Sequence, residues 1–159
     1  QSRGEAATEQ WLTAIKDNEP VLFEKNSQIV EAIDNGQIDI GLVNHYYLWE
    51  VAEELGREIN AKIDFFQAGD IGNLTNVSGV AILATSKKQS AAQKFVEFML
   101  RDDIQKKFVS DTHEYSLVNP ALWPDGLPAL QDVKSPAVDL ASLADLRRTQ
   151  ALLVKIGLI

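Results

Sequence analysis

Apolar residues recur along this chain at two spacings, one helical and one extended. Ala7, Trp11, Leu12, Ala14 and Ile15 share one face of a helix over residues 5–17, and Asp17-Asn18-Glu19-Pro20 stops it. Val21-Leu22-Phe23 is a short run of strand type. A second helix is expected over Gln28–Ile33, capped by Asn26 or Ser27 and ended by Asn35-Gly36. Ile38-Asp39-Ile40-Gly41-Leu42-Val43 predicts a strand that runs into Asn44. An amphipathic helix follows over Leu48–Ile59, with Gly56 weakening it.

Ala61–Phe66 alternates as a strand does, and residues 67–77 are polar, Gly-bearing and irregular. Val77–Ala84 is a strongly apolar strand in which Gly79 suggests a close backbone approach. Helices are expected over 90–100, with Ala91, Phe95, Phe98 and Met99 inward, and over 102–109. Residues 119–136 hold four of the five prolines and read as an irregular linker. The last helix is expected over 141–156, apolar at Leu143, Leu146, Leu152, Leu153 and Ile156.

Strand, helix, strand, helix is the order of a mostly parallel sheet flanked by helices. Ligands of such sheets collect at the carboxyl ends of strands, where helix N-termini point. Asn26 and Asn44 are both expected there. Asn44 opens the string Asn44-His45-Tyr46-Tyr47, placed as the N-cap of the third helix. Two phenol oxygens beside a helix start could take a hard cation with its counter-anion. Two half-buried packing tyrosines would look the same in sequence. Helical neighbours diverge by about 100°, so both rings meet one point only where the helix end faces a cleft.

Composition narrows the classes. The 159 residues carry a net charge of −8 with no long basic cluster, which argues against nucleic acid and anionic lipid. Without cysteine there is no disulfide, thiolate metal site or thiol nucleophile. No apolar run approaches the roughly 20 residues of a membrane span. The chain starts on Gln1 without a visible signal peptide, and reads as a processed protein or a piece of a longer one. Phosphate-loop, nucleophile-elbow and metalloprotease motifs are absent, so no enzyme is expected. Asp102-Asp103 reads as an acidic helix start. His113-Glu114-Tyr115-Ser116 reads as a loop, because adjacency is not triad geometry.

Asn26-Ser27, Glu31-Ala32-Ile33-Asp34-Asn35-Gly36 and Asp39-Ile40-Gly41-Leu42-Val43-Asn44-His45-Tyr46-Tyr47 closely resemble the bacterial periplasmic ferric-ion-binding proteins. The likeness continues through Val77–Ala81, Ala92–Phe98, Glu114-Tyr115 and Lys155–Leu158. These are the substrate-binding components of iron ABC importers. The resemblance implies a class II periplasmic-binding-protein-like α/β fold, a mixed sheet flanked by helices, of which this chain would hold about half. Residues 1–68 would belong to the second lobe, 69–124 would cross to the first, and 125–159 would return.

By the same resemblance Tyr46 and Tyr47 match paired tyrosinate ligands of Fe³⁺. Asn26 and Asn44 match residues that hold a synergistic anion, phosphate or carbonate. His45 would point away from the metal. The implied location is the periplasm or the outer face of the cell membrane, and the implied partners are the ferric ion and a membrane permease. Hard Fe³⁺ suits anionic oxygen donors. Alternatives are a relative of the same fold for thiamine, phosphonate or a similar solute, and a truncated module without a ligand. In a half-fold, the apolar strand at 77–83 leaves self-pairing or a domain-swapped dimer open.

Overall fold

The computed structural model describes residues 2–139, 141 and 146–159. Seven helices form among them: α1 Glu5–Asp17, α2 Asn26–Asp34, α3 Tyr47–Leu55, α4 Gln89–Met99, α5 Asp102–Thr112, α6 Leu130–Val133 and α7 Leu146–Ile156. Contacts divide the chain into two units, residues 1–24 with 136–159, and residues 25–135.

In the first unit α1 packs on α7. Leu12 and Ile15 of α1 and Leu152 and Leu153 of α7 are half-covered and Ile156 is buried, while Trp11 stays 57% exposed. Polar contacts finish the join. Lys155 pairs with Glu9 at 2.6 Å, and Arg148 Nε donates to Glu5 at 2.9 Å. Lys16 Nζ donates to the Ile156 carbonyl at 2.6 Å, a cation at the negative end of α7. Gly157, at φ 72°, turns the chain so that Leu158 N–H reaches the Leu153 carbonyl. Of the last helix, expected over 141–156, residues 142–145 lie outside the described residues.

The second unit is built on α2 against α3. Val30, Val51 and Ala61 are its buried centre, and Ile33, Val43, Tyr47, Leu48 and Ile59 pack around them. Asn35 and Gly36 end α2, as their sequence implies, with Gln37 N–H reaching the Ala32 carbonyl at 2.8 Å. Gly56 does not weaken the middle of α3. It stands just past its end at φ 61°, so Glu58 and Ile59 lie outside the helix. Next to that turn, the buried Asp34 accepts from Arg57 and from the Asn60 backbone, both at 2.6 Å. These bonds, led by Arg57, hold its carboxyl below the ordinary range.

Three expectations fail in this unit. On α4 the half-buried residues are Ala92, Val96 and Met99, while Ala91, Phe95 and Phe98 are exposed; the covered stripe is rotated from the expected one. Gly79 has open space around it, and the close approaches are at Gly41, against Ile29, and at Gly72, against Phe66. The 119–136 stretch is not wholly irregular, because α6 forms inside it.

None of the four expected strands pairs into a ladder among the described residues. Extended segments become a sheet only when a neighbour takes their N–H and C=O groups. Here side chains take some of them. Asn26 Oδ1 accepts Asn44 N–H, Asp34 accepts Asn60 N–H, and Asn73 Oδ1 accepts Phe66 N–H. The outward apolar residues of these segments stay open, with Ile40 at 85% and Leu83 at 75%.

Candidate metal centre

The second unit brings Asn26, Asn44, Tyr46 and Tyr47 together. Asn44 does not cap α3 with its side chain as expected. Its backbone carbonyl takes Tyr47 N–H at 3.3 Å and the His45 carbonyl takes Leu48 N–H at 3.2 Å. That tight turn makes Tyr46 the residue before the helix, at φ −67° and ψ −21°, and Tyr47 its first residue. The Asn44 amide is thereby freed for the Tyr46 hydroxyl, which it reaches at 3.4 Å. Asn26, expected as a cap of α2, is instead its first residue, after Lys25, and its Oδ1 accepts Asn44 N–H at 3.1 Å.

The two phenols converge. Their ring centroids are 4.6 Å apart with planes tilted by 33°. Tyr47 packs against the core of Val30, Val51 and Ala61, whereas Tyr46 lines an open hollow of about 320 Å³. Burial first, then the Tyr47 hydroxyl, raises the Tyr46 pKa above that of a free phenol; the Glu114 charge adds to this. Carboxylates of Glu50, Glu53, Asp111 and Glu114 line the same hollow, so it is an acidic mouth. A cation is favoured there and would also stabilise a phenolate.

His45 turns away from this hydroxyl pair. Its Nε2–H donates to the His113 carbonyl at 2.8 Å, and its ring meets Tyr46 edge-on and Tyr115 at a tilt. Burial pushes its pKa down. His113, the left-handed residue that ends α5, stacks on Trp49 with centroids 4.9 Å apart. Tyr115, expected only as part of a loop, donates to the Pro128 carbonyl at 2.7 Å, and burial raises it to about 12. The stack of His113 on Trp49 was not legible in the sequence, because the two are 64 positions apart and nothing local marks the pair.

The enzyme-like groupings dissolve. Asp102 holds Asn119 at 2.6 Å, and Asp103 holds Arg101 at 2.7 Å, so the two acids serve the start of α5 separately. Ser116 donates to Gln105 at 2.7 Å and accepts from Asn119, with no histidine in that bonding. Among the described residues no three His, Asp or Glu groups gather as a metal shell. No helix among them is long and apolar enough to cross a membrane.

Residues 1–133 match the family model of the bacterial extracellular solute-binding proteins. The major ferric iron-binding protein of Neisseria meningitidis is 30% identical over 98% of this chain and 47% of its own length. The Fe(3+)-binding periplasmic protein of Serratia marcescens is 31% identical over 99% of this chain and 46% of its own. Iron-bound HitA from Pseudomonas aeruginosa superposes with a TM-score of 0.84 at 31% identity, covering 97% of this chain and 50% of HitA. The chain thus spans about half the length of these relatives, and its backbone follows half of a solute-binding fold despite the unpaired strand segments. With its sequence and its backbone both matching, the chain belongs to the bacterial extracellular solute-binding protein family.

Proposed function

We propose that this chain carries the tyrosine half of a ferric-iron site, with Tyr46 and Tyr47 as phenolate ligands. The observation that supports this best is the pairing of the two phenol rings, with Tyr46 lining an acidic mouth. Fe³⁺ favours hard anionic oxygen, and two adjacent phenolates offer it without thiolate or imidazole. Relatives named for ferric iron support the same metal. The chemistry is capture and release rather than turnover, since binding expels phenol protons and acid returns them.

Asn26 and Asn44 serve a synergistic anion, phosphate or carbonate, in this reading. With Asn26 Oδ1 engaged by Asn44 N–H, the Asn26 amide group is what that side chain offers an anion. The cargo passes to the membrane permease of an ABC importer from the periplasm or the outer face of the cell membrane. The exposed Ile40, Leu42 and Leu83 favour one further partner, a self-paired second copy, which light scattering would reveal as twice the monomer mass.

A ferric titration tests the metal reading. Iron supplied as a weak chelate, with phosphate or carbonate, is expected to give a phenolate-to-iron charge-transfer band. Tyr46→Phe and Tyr47→Phe each shift and weaken it, and the double variant abolishes it. A band that survives the double variant, or no band in the unaltered chain, rejects the assignment. A solute such as thiamine or a phosphonate would bind without any such band.

A further inference from the structure

The start of α3 and the end of α5 hold one another by two contacts that cross in sequence. His45, just ahead of α3, donates from Nε2 to the backbone carbonyl of His113 at 2.8 Å. The His113 ring lies flat on Trp49 of α3, with planes 16° apart, and its Nε2 is 3.5 Å from Glu53 one turn further along. Each histidine thus reaches the other's helix. His113 can make both contacts because it sits at φ 54°, where the chain leaves α5 and its carbonyl turns out of the helical ladder.

The clasp has a particular place. The His45 ring contacts the Tyr46 ring edge-on at 5.7 Å, and on another side it meets Tyr115 at 5.4 Å. The helix holds the Tyr46 backbone, whose carbonyl accepts Trp49 N–H at 3.1 Å and Glu50 N–H at 3.2 Å, and leaves the direction of its ring to the side chains around it. Asp111 and Glu114, flanking His113, line the hollow into which Tyr46 faces. Anything that fixes the His113 backbone fixes those carboxylates against the phenol.

We infer that His45 is a positioning residue of the tyrosine site: bound to the His113 carbonyl, it sets the Tyr46 ring and docks the acidic end of α5 beside it. The inference rests on the ferric reading for its metal consequences, and on geometry alone for its structural ones. Partners that orient a metal ligand from behind commonly contribute 10- to 100-fold to metal affinity. His45 touches Tyr46 through its ring edge and not its hydroxyl, so the low end, about tenfold, is expected.

Three variants of the 159-residue chain separate the contributions. His45→Gln keeps an N–H donor near the Nε2 position, His45→Phe keeps the ring without the donor, and His45→Ala has neither. Ferric affinity, by competition with citrate, should fall about tenfold in His45→Ala and His45→Phe. The charge-transfer maximum should move in both, and His45→Gln should restore most of the affinity. Amide hydrogen exchange of the metal-free chain gives a readout that needs no iron. The His113 N–H, bonded to the Val109 carbonyl at 3.1 Å, should exchange faster in His45→Ala and His45→Phe but not in His45→Gln.

Unchanged affinity and band position in a folded His45→Ala would overturn the inference, as would unchanged His113 exchange. If His45→Ala does not fold, the Gln and Phe variants decide the matter by the same two readouts. A chain that binds no iron yet shows the exchange pattern refutes the ferric reading and leaves the clasp standing. Normal iron binding with no exchange pattern does the reverse.

Discussion

The dependence of iron affinity on pH counts the phenols directly. A metal-bound tyrosine is a tyrosinate, so each phenol that becomes a ligand releases one proton. Free phenols lose their proton near pH 10. In this chain burial and the Tyr47 hydroxyl hold Tyr46 above that value, so below pH 8 it is protonated until metal displaces the proton. With both tyrosines as ligands, two protons leave per ion. The association constant then rises by about a hundredfold per pH unit between pH 6 and 8, or about 2.7 kcal/mol. The sign follows from mass action: acid weakens binding and base strengthens it. The assay is competition against citrate over that interval with no phosphate or carbonate added, since their own protons would enter the count, corrected for the protonation and iron speciation of citrate measured alone. Tyr46→Phe or Tyr47→Phe should each reduce the slope to about tenfold per unit. A corrected slope near zero or one in the unaltered chain would show that the pair does not act as two phenolates.

Three further outcomes concern the frame that holds the pair. Val51 is 1% exposed behind Tyr47, and Val51→Ala removes two buried methyl groups at about 0.8 kcal/mol each. With the cavity left behind, urea unfolding should show a loss of roughly 2–3 kcal/mol. Gly41→Ala drives a methyl group into Ile29 of α2 on the segment leading to Asn44, and the same measurement should show a loss of about 1–3 kcal/mol. Asp34 has a lowered folded pKa, so its contribution is present above the unfolded value near 4 and is lost as pH falls through the folded value. The stability curve of Asp34→Asn should therefore lie below that of the unaltered chain at neutral pH and be flatter in the acid range.

The hydrophobic spacing, and the Gly and Asn signals, carried most of the helical order of this protein. α1 and α5 form close to where the apolar stripes and acidic starts place them, and Asn35-Gly36 ends α2 because that pair tolerates the turn the chain must make. The string Asn44-His45-Tyr46-Tyr47 marked the candidate site, since strand-to-helix junctions are where such sheets present ligand groups. Helix faces were less legible. Period 3.6 on α4 fits more than one stripe, and only the neighbours of Ala92, Val96 and Met99 select which is covered.

Tertiary structure decided what spacing could not. A strand is a property of two segments, so alternation at 61–66 or an apolar run at 77–84 implies pairing without supplying the partner. The approach of the Tyr46 and Tyr47 rings to 4.6 Å lies in how the two side chains turn, because Tyr46 already has helix-like backbone angles of φ −67° and ψ −21°. The His45–His113 clasp and the Trp49 stack join residues more than 60 positions apart, through one carbonyl and one ring face. Neither group advertises itself in sequence, because any residue has a carbonyl and any aromatic has a face; only the fold brings these two to the same corner.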